Sequence, residues 1–311
     1  MTDIVLHHYP ASPFSEKIRL VLGYKQLAWQ SVVVPSIMPK PDVVALTGGY
    51  RKTPFMQIGA DIYCDSAVIC DQLERIQPQP TLYPPDVEGN ARIVAQWADT
   101  TLFWAAMAHN LGPKGAAQAF AKAPPEAIKA FGEDRSKMSG GMVRLRPADA
   151  AGAYKIYLSR LDSMLEYETF LLGPHPSIAD FSAYHSLWFT RVCVPVMADI
   201  LETKPRVLKW MDSMAALGHG TSEKFSATEA IALAARSTPA ALEPSAFQNE
   251  HGIALGSLVS ITAESFGAEA TEGELISATA SRYTLRRHDE RAGVVHVHFP
   301  RVGYVLAPAG A

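Results

Sequence analysis

The sequence predicts an α/β protein in three parts: a mixed first region, an all-helical second region and a small β-rich region at the end. Short apolar runs of strand length alternate with helix-like segments between about residues 4 and 76. Apolar residues then recur every three or four positions through residues 88–216, which is typical of packed helices. From Ile253 onward, short β-branched runs separated by turn residues predict strands.

The composition is that of a globular chain with a large core. The chain has 311 residues, of which 48% are hydrophobic and 19% charged, and its formal net charge is −3. This charge gives no general attraction for nucleic acid, and no apolar run is long enough to span a membrane. The N-terminus lacks a basic, apolar signal segment, and the three cysteines form no CxxC pair. We therefore expect a cytoplasmic protein with no membrane or nucleic-acid partner.

The most informative stretch is Ser12–Arg19, with the sequence SPFSEKIR. It follows the apolar run Ile4–Leu6, a predicted strand, and opens a predicted helix over residues 15–24. Pro13 suits the first helical position, because the N–H group that it lacks would be unpaired there anyway. The N-terminus of a helix stabilises a thiolate or another anion, and the hydroxyl of Ser12 would point at the same place.

Two further motifs follow in order along the first region. The segment Lys52–Met56, KTPFM, enters a predicted third strand, and Asp65–Ile69, DSAVI, begins a predicted helix with Asp65 as its N-cap. Ser66 in the first turn of that helix can bind a carboxylate with both its hydroxyl and its backbone N–H. Each motif is weak alone, but the three together, in this order, are specific.

These motifs resemble those of glutathione transferases. Residues 4–85 resemble the family's thioredoxin-like N-terminal domain, a βαβαββα unit, and the following helical region resembles its all-α second domain. The resemblance covers about residues 1–220, and family members ordinarily end there. The strands that follow suggest an additional small barrel or curled sheet. We therefore expect four segments: a glutathione-binding domain, a helical domain, a linker with a helix, and a β-rich domain, at residues 1–80, 88–220, 221–250 and 251–311.

The resemblance implies an enzyme that joins glutathione, as a substrate, to a small hydrophobic electrophile without a metal. Ser12 would donate a hydrogen bond to the glutathione sulfur. The γ-glutamyl carboxylate would lie on Asp65 and Ser66, and the cysteinyl backbone would pair with Thr53, which precedes a cis proline. The glutathione-binding residues that the resemblance implies are Phe14, Lys40, Thr53, Pro54, Asp65 and Ser66.

Several of these assignments have an ordinary alternative. Lys40 lies in a proline-rich loop, where it is either a ligand for the glycine carboxylate or a solvated side chain. Some transferase classes hold the thiol with a tyrosine near Tyr9, but an aromatic residue packed between domains is the alternative. By resemblance, the electrophile pocket is lined by side chains that ordinary core packing would also explain: Tyr9, Phe103, Trp104 and Met107.

Two other functions and a metal site remain as alternatives. Thiol exchange requires a cysteine at the position of Ser12, and a serine cannot form the mixed disulfide. A protein of the same fold that binds glutathione or a hydrophobic ligand and has lost turnover is the other alternative, and the presence of all three ligand motifs is an observation against it. His296 and His298 share one face of a predicted strand, but no third ligand accompanies them, so we expect no metal. The family resemblance also implies a homodimer.

The β-rich region is either a free-standing partner-binding module or an annex packed on the transferase body. The segment Ser237–Pro244 reads as a linker in front of it. A barrel of this size has a small core and is marginally stable alone. Because packing against the body would supply the missing burial, the annex is the favoured interpretation.

Overall fold

The structure is a computed structural model that describes residues 3–140, 142, 145–242 and 246–310. The end of the predicted linker, at Pro244, lies outside these described residues. A mixed sheet runs through the molecule in the order β10-β6-β7-β8-β9-β4-β3-β1-β2-β5. Its strands are β1 Ile4–His8, β2 Ala28–Val33, β3 Phe55–Ile58, β4 Asp61–Cys64, β5 Thr221–Lys224, β6 Leu258–Ala263, β7 Thr271–Ala278, β8 Arg282–Asp289, β9 Gly293–Pro300 and β10 Tyr304–Pro308.

Helices cover the sheet and form the second region. They are α1 Pro13–Tyr24, α2 Pro41–Thr47, α3 Ser66–Ile76, α4 Glu88–Trp97, α5 Phe103–Asn110, α6 Pro113–Ala119, α7 Pro125–Met138, α8 Pro147–Met164, α9 Ile178–Trp188, α10 Asp199–Glu202, α11 Pro205–Ala215 and α12 Ala227–Arg236. None of the helices in the described ranges is long and apolar enough to cross a membrane.

The first region has the predicted thioredoxin-like order. Strand β1 runs parallel to β2 and antiparallel to β3, and β3 is antiparallel to β4. One apolar cluster joins one face of this sheet to α1, α3 and the helical domain. A second cluster, on the other side, joins α2 and α12 to the sheet. The predicted α/β domain followed by an all-α domain is confirmed.

Helix α9 lies at the centre of the helical domain and packs against α1 and α4. A capping box begins it: the N–H of Ser177 donates to Oδ2 of Asp180 at 2.9 Å. The other oxygen of Asp180 accepts hydrogen bonds from the N–H of Leu171 and from Nε1 of Trp210. The carboxylate thus joins three segments of the domain, which is a folding role.

Two short helices begin at proline residues. Helix α2 is the second helix of the expected βαβαββα unit, and α6 lies in a segment rich in glycine and alanine; Pro41 and Pro113 each occupy a first helical turn, where proline is tolerated. The left-handed conformation of Gly48, with φ of 86°, ends α2. Strand β5 is short and exposed, and it pairs in parallel with β2.

The predicted C-terminal strands are confirmed as β6–β10, and we call residues 258–308 the annex. They do not close into a barrel: β9 runs parallel to β4, so the annex extends the sheet of the first domain. Ile62 lies opposite Val297, and both belong to the same core cluster. Asp61 strengthens this junction, because it accepts a hydrogen bond from Nε2 of His298 at 2.9 Å. This continuous core supports the annex interpretation.

Candidate functional site

Ser12 is the N-cap of α1. Its Oγ accepts a hydrogen bond from the N–H of Ser15 at 3.2 Å, which satisfies one of the unpaired donors at the start of the helix. The Arg19 side chain holds the preceding turn, because its Nη2 donates to the carbonyl of Pro10 at 3.0 Å and to Glu16 at 2.7 Å. Only 2% of Ser12 is exposed. The turn and the helix therefore fix the hydroxyl in one position.

The second motif meets the first at Thr53. The Thr53–Pro54 peptide is cis, as the resemblance implies. Oγ of Ser12 donates to the carbonyl oxygen of Thr53 over a long distance of 3.4 Å. The strand end and the helix start are thus adjacent.

The third motif begins α3. Oδ1 of Asp65 accepts from the N–H of Ala67 at 2.9 Å, so Asp65 is the predicted N-cap. Its backbone has φ of 92°, a conformation that few residues other than glycine adopt. Ser66 is buried, and its Oγ accepts a hydrogen bond from Nζ of Lys17 at 3.2 Å.

A buried polar network lies beneath Ser66. Nζ of Lys17 contacts Oδ2 of Asp99 at 2.6 Å, and Oδ1 of Asp99 contacts Nε2 of His185 at 3.0 Å. Burial acts to lower the pKa of Lys17, but the Asp99 carboxylate outweighs it and the pKa is raised. Burial likewise acts to raise the pKa of Asp99, yet Lys17 and His185 hold it below its usual value. The ammonium and the carboxylate are therefore both charged at neutral pH.

Aromatic rings line the boundary between the two domains. The ring of Phe14 lies 4.8 Å from that of Phe103, and Phe103 lies 4.9 Å from Trp104. Trp104 in turn lies 5.1 Å from Phe266, which belongs to the annex. The structure thus brings three of the predicted residues into one row and adds a fourth ring from the annex.

The remaining predicted residues lie apart from this row. Met107 is buried in the first core cluster, whereas Tyr9 packs against the second cluster, beside α2 and α12. Lys40 is buried, and its Nζ donates to the carbonyl of Arg51 at 3.0 Å. The expectation of a solvated lysine is therefore wrong. Burial, together with Arg135 and Arg51, lowers the pKa of Lys40 to about 8.

Two annex contacts reach residues of the third and second motifs. The hydroxyl of Tyr304 donates to Oδ2 of Asp65 at 2.9 Å. Nζ of Lys52 lies 4.8 Å from the centre of the Tyr304 ring and 5.3 Å from that of Tyr50, within the range of cation–π attraction. The candidate site is therefore built from both domains and from the annex.

Thiol chemistry of the protein itself has little support here. Cys64 and Cys70 are buried and Cys193 is half-buried, and all three are free thiols. Burial raises the pKa of Cys70 to about 12 and that of Cys193 to about 11. Raised pKa values leave little thiolate at neutral pH. Among the described residues, no group of three or more histidine, cysteine and acidic side chains could hold a metal ion.

Four residues that contact the candidate site were not predicted from the sequence: Lys17, Asp99, Phe266 and Tyr304. One feature of the sequence could have pointed to Lys17: it is a charged residue five positions after Ser12, in a predicted helix whose neighbouring residues are buried. Asp99 is an acid in a helical region rich in large apolar residues. Phe266 and Tyr304 carry no comparable signal, because only the packing of the annex places them near the motifs.

Comparison with known proteins decides the family. Residues 6–81 match the sequence family "Glutathione S-transferase, N-terminal domain", and residues 148–213 match "Glutathione S-transferase, C-terminal domain". A GST-like protein from Pseudomonas syringae, of known crystal structure, is 41% identical; the match covers 99% of this chain and 100% of that one, with a TM-score of 0.82. The chain belongs to the glutathione S-transferase family. Because the match spans nearly the whole chain, this family member shares its annex with the P. syringae protein.

More distant relatives share the transferase fold. A glutathione S-transferase from Rhodospirillum rubrum is 18% identical, with a TM-score of 0.52, over 68% of this chain and 88% of that one. "FtsZ-localized protein A" of Caulobacter vibrioides is 23% identical over 189 residues, which are 57% of this chain and 73% of that protein. The name of this relative describes a location rather than a reaction.

Proposed function

We propose that this family member binds glutathione and transfers its thiolate to a small hydrophobic electrophile. One observation carries the proposal: helix α1 contacts both other motifs. Its N-cap, Ser12, lies 3.4 Å from the carbonyl oxygen of Thr53, and Lys17, one turn further on, lies 3.2 Å from Oγ of Ser66. The groups that would hold the sulfur, the cysteinyl backbone and the γ-glutamyl end are therefore parts of one connected site.

Charge favours the γ-glutamyl carboxylate at Ser66. The first turn of α3 offers backbone N–H groups and a partial positive charge. The Lys17 ammonium, 3.2 Å from Oγ of Ser66, polarises this hydroxyl toward donating its hydrogen to the carboxylate. The ammonium group of the same γ-glutamyl end would face the carboxylate of Asp65.

The start of α1 would stabilise the thiolate. Ser12 would give its hydroxyl hydrogen to the sulfur, and the partial charge of the helix would act in the same direction. Each unit by which the pKa of a thiol falls below its ordinary ~8.5 raises the thiolate fraction at neutral pH about tenfold. The thiol proton leaves to solvent. The sulfur then forms a bond to an electrophilic carbon. A haloaromatic carbon releases its halide, whereas in an epoxide or an enone the electron pair of the broken bond passes to oxygen and a proton is taken up from solvent.

The aromatic row would bind the apolar part of the electrophile. Phe14, Phe103 and Trp104 are half-buried, so their rings offer apolar surface next to α1. We further propose a cytoplasmic homodimer, as in related transferases. Free, buried cysteines are consistent with a reducing compartment.

A second candidate is a protein that retains the transferase fold for binding and has no turnover. Two observations favour it: Ser12 is only 2% exposed, and the annex engages Asp65. A relative at 23% identity, FtsZ-localized protein A, has a name that describes a location and no reaction. Under this proposal the site would bind glutathione or a hydrophobic ligand and leave it unchanged.

Conjugate formation separates the two candidates. The purified full chain is incubated with glutathione and a panel of haloaromatic, epoxide and enone electrophiles, and products are measured by mass spectrometry. The transferase proposal expects enzyme-dependent conjugation of at least one electrophile. Saturable glutathione binding without any conjugation above the uncatalysed rate would favour the binding protein.

A further inference from the structure

The annex crosses the cleft between the two domains, and we propose that it gates the glutathione site. In this proposal residues 264–270, which we call the strap, together with Tyr304, must move before glutathione can reach Ser66 and Thr53. The inference rests on the proposed binding of glutathione, and it adds a regulatory device to that site.

The strap connects β6 to β7 and is attached to the helical domain. The Phe266 ring lies 5.1 Å from that of Trp104 in α5. The N–H of Gly267 donates to the carbonyl of Met138, at the end of α7, at 2.8 Å. These two contacts hold the strap on the far side of the cleft from the sheet.

The same strap is attached to the segment that precedes the cis proline. Oε1 of Glu269 lies 2.8 Å from Nε of Arg51. Just beyond the strap, Oγ1 of Thr271 accepts a hydrogen bond from the N–H of Tyr50 at 3.0 Å. The strap therefore bridges the two domains directly above the approach to Thr53.

Gly267 shows how closely the strap lies on this segment. Its φ is +69°, and a Cβ atom at this position would be 3.0 Å from Cγ of Lys52 and 3.0 Å from Cε of Met138. Lys52 immediately precedes Thr53, whose backbone would pair with the cysteinyl part of glutathione. An extended tripeptide on Thr53 would therefore meet the backbone of the strap.

Tyr304 covers the other end of the site. Its hydroxyl donates to Oδ2 of Asp65, the oxygen that is not used in capping α3. This carboxylate would receive the γ-glutamyl ammonium of glutathione. The Tyr304 ring also lies against the Lys52 ammonium, at 4.8 Å. The phenol thus competes with the ligand for the carboxylate and fixes the lysine beside it.

The groups beneath these contacts have little access to solvent. Ser12 is 2% exposed and Ser66 is 5% exposed. Neither of two surface cavities among the described residues, of about 450 and 400 Å³, includes Ser12 or Ser66 in its lining: one is lined by α12 with Arg291 and the other by annex residues such as Leu258 and Glu274. Because only 5% of Ser66 is exposed, glutathione can reach it only if the covering residues move.

A gate makes a quantitative prediction. When only a fraction of the molecules is open, the apparent dissociation constant equals the intrinsic constant divided by that fraction. Removing an attachment of the strap raises the open fraction and tightens glutathione binding. Phe266→Ala removes the ring contact with Trp104, and Glu269→Gln weakens the ion pair with Arg51, and neither change touches Ser12, Asp65 or Ser66.

The test is calorimetric titration of the full chain with glutathione. The matched control is Glu274→Gln, which removes an annex ion pair to Arg286 on the exposed face of the sheet. We expect the double variant Phe266→Ala/Glu269→Gln to bind glutathione about tenfold more tightly, from the usual size of an aromatic pair and a partly exposed ion pair. The control should bind as the wild type does. If Phe266→Ala prevents folding, Glu269→Gln alone carries the test, with a gain of about threefold.

Hydrogen exchange supplies a second readout in the wild type. The amide of Gly267 is hydrogen-bonded to Met138 when the strap is closed, so it should exchange faster at saturating glutathione. Equal or weaker binding by the double variant, or a strap peptide that stays protected at saturation, would overturn the gate and leave glutathione binding intact. If neither wild type nor any variant binds glutathione, the proposed function fails and the gate fails with it.

Discussion

Lys17 and Asp99 form an ion pair of 2.6 Å directly beneath Ser66, between α1 of one domain and the segment Ala98–Leu102, which joins α4 to α5, of the other. Only 1% of the lysine side chain is exposed, and 19% of the aspartate side chain. The pair therefore joins the two domains under the γ-glutamyl end of the candidate site.

The first prediction concerns this pair. Asp99→Asn leaves the Lys17 ammonium buried beside a neutral group, so the free energy of unfolding should fall by about 3–5 kcal/mol. Lys17→Met added to Asp99→Asn removes the unpaired charge and should recover much of the loss. Urea denaturation of the wild type, of Asp99→Asn, of Lys17→Met and of the double variant measures the coupling energy of the pair. If the losses of unfolding free energy in the two single variants add up to the loss in the double variant, the pair is not coupled.

The second prediction concerns thiol activation. Ser12→Ala should lower kcat by about tenfold or more while changing the affinity for glutathione little, because the bond to sulfur strengthens as the thiolate forms. Ser15→Ala is the matched control: its hydroxyl is buried in the same turn and has no hydrogen-bond partner among the residues that the structure describes. Loss of the N-cap should also lower stability by about 1 kcal/mol, so melting curves accompany the kinetics.

Steady-state kinetics with one electrophile at saturating glutathione checks this assignment. If Ser12→Ala turns over normally while Tyr9→Phe loses activity, the role belongs to Tyr9. Because Tyr9 packs against the second core cluster, we expect Ser12→Ala to lose activity and Tyr9→Phe to retain it.

The three motifs that suggest the family were readable in the sequence because each is a short run of neighbouring residues. The turn that contains Ser12 and the cap formed by Asp65, for example, depend on residues a few positions apart. Local hydrogen bonds of this kind are specified by neighbouring residue types. The predicted C-terminal strands were also readable, since alternation along a strand is a local property.

What could not be predicted depends on contacts between distant segments. The alternation of residues 293–300 predicts a strand but not its partner. This strand pairs with β4, more than two hundred positions earlier in the chain, and so continues the sheet. The contacts of Tyr304 with Asp65, and of Phe266 with Trp104, follow only from that pairing. The burial of Lys40 was missed for the same reason, because α7 covers the loop that carries it.

The third prediction concerns pH. Burial lowers the pKa of His7 and of His8 to about 4, below the value of about 6.5 expected in the unfolded chain. The unfolded state therefore binds more protons between these values, and stability falls as pH is lowered through this window. From pH 7 to pH 5 each histidine should remove about 2 kcal/mol of unfolding free energy.

Urea denaturation at pH 7 and pH 5 tests this dependence. His7→Gln keeps a donor for Gln57 and should recover roughly half of the difference between the two pH values. Substitution of the exposed His175 by glutamine is the control and should leave the difference unchanged. A wild-type stability that is flat over this range would contradict the assignment of two neutral, buried histidines.

The fourth prediction concerns the annex. A chain ending at residue 224 keeps β5 but loses α12 and β6–β10, which exposes the edge of β4 and the apolar side chains of Ile62 and Phe55. This truncated chain should aggregate or melt at a lower temperature than the full chain, and the isolated annex should fold poorly. Two pieces that each melt as they do in the full chain would instead indicate a free-standing module.

Binding of glutathione at Asp65 and Ser66 is measured by calorimetric titration of the wild type and of Ser66→Ala. We expect saturable binding by the wild type and a roughly tenfold larger dissociation constant for the variant, since a hydrogen bond to the charged carboxylate is lost. Ser182→Ala, which removes another hydroxyl of the network on Asp99, is the control and should change the affinity little. Equal affinities of the wild type and Ser66→Ala, or no binding by the wild type, would show that glutathione does not bind there.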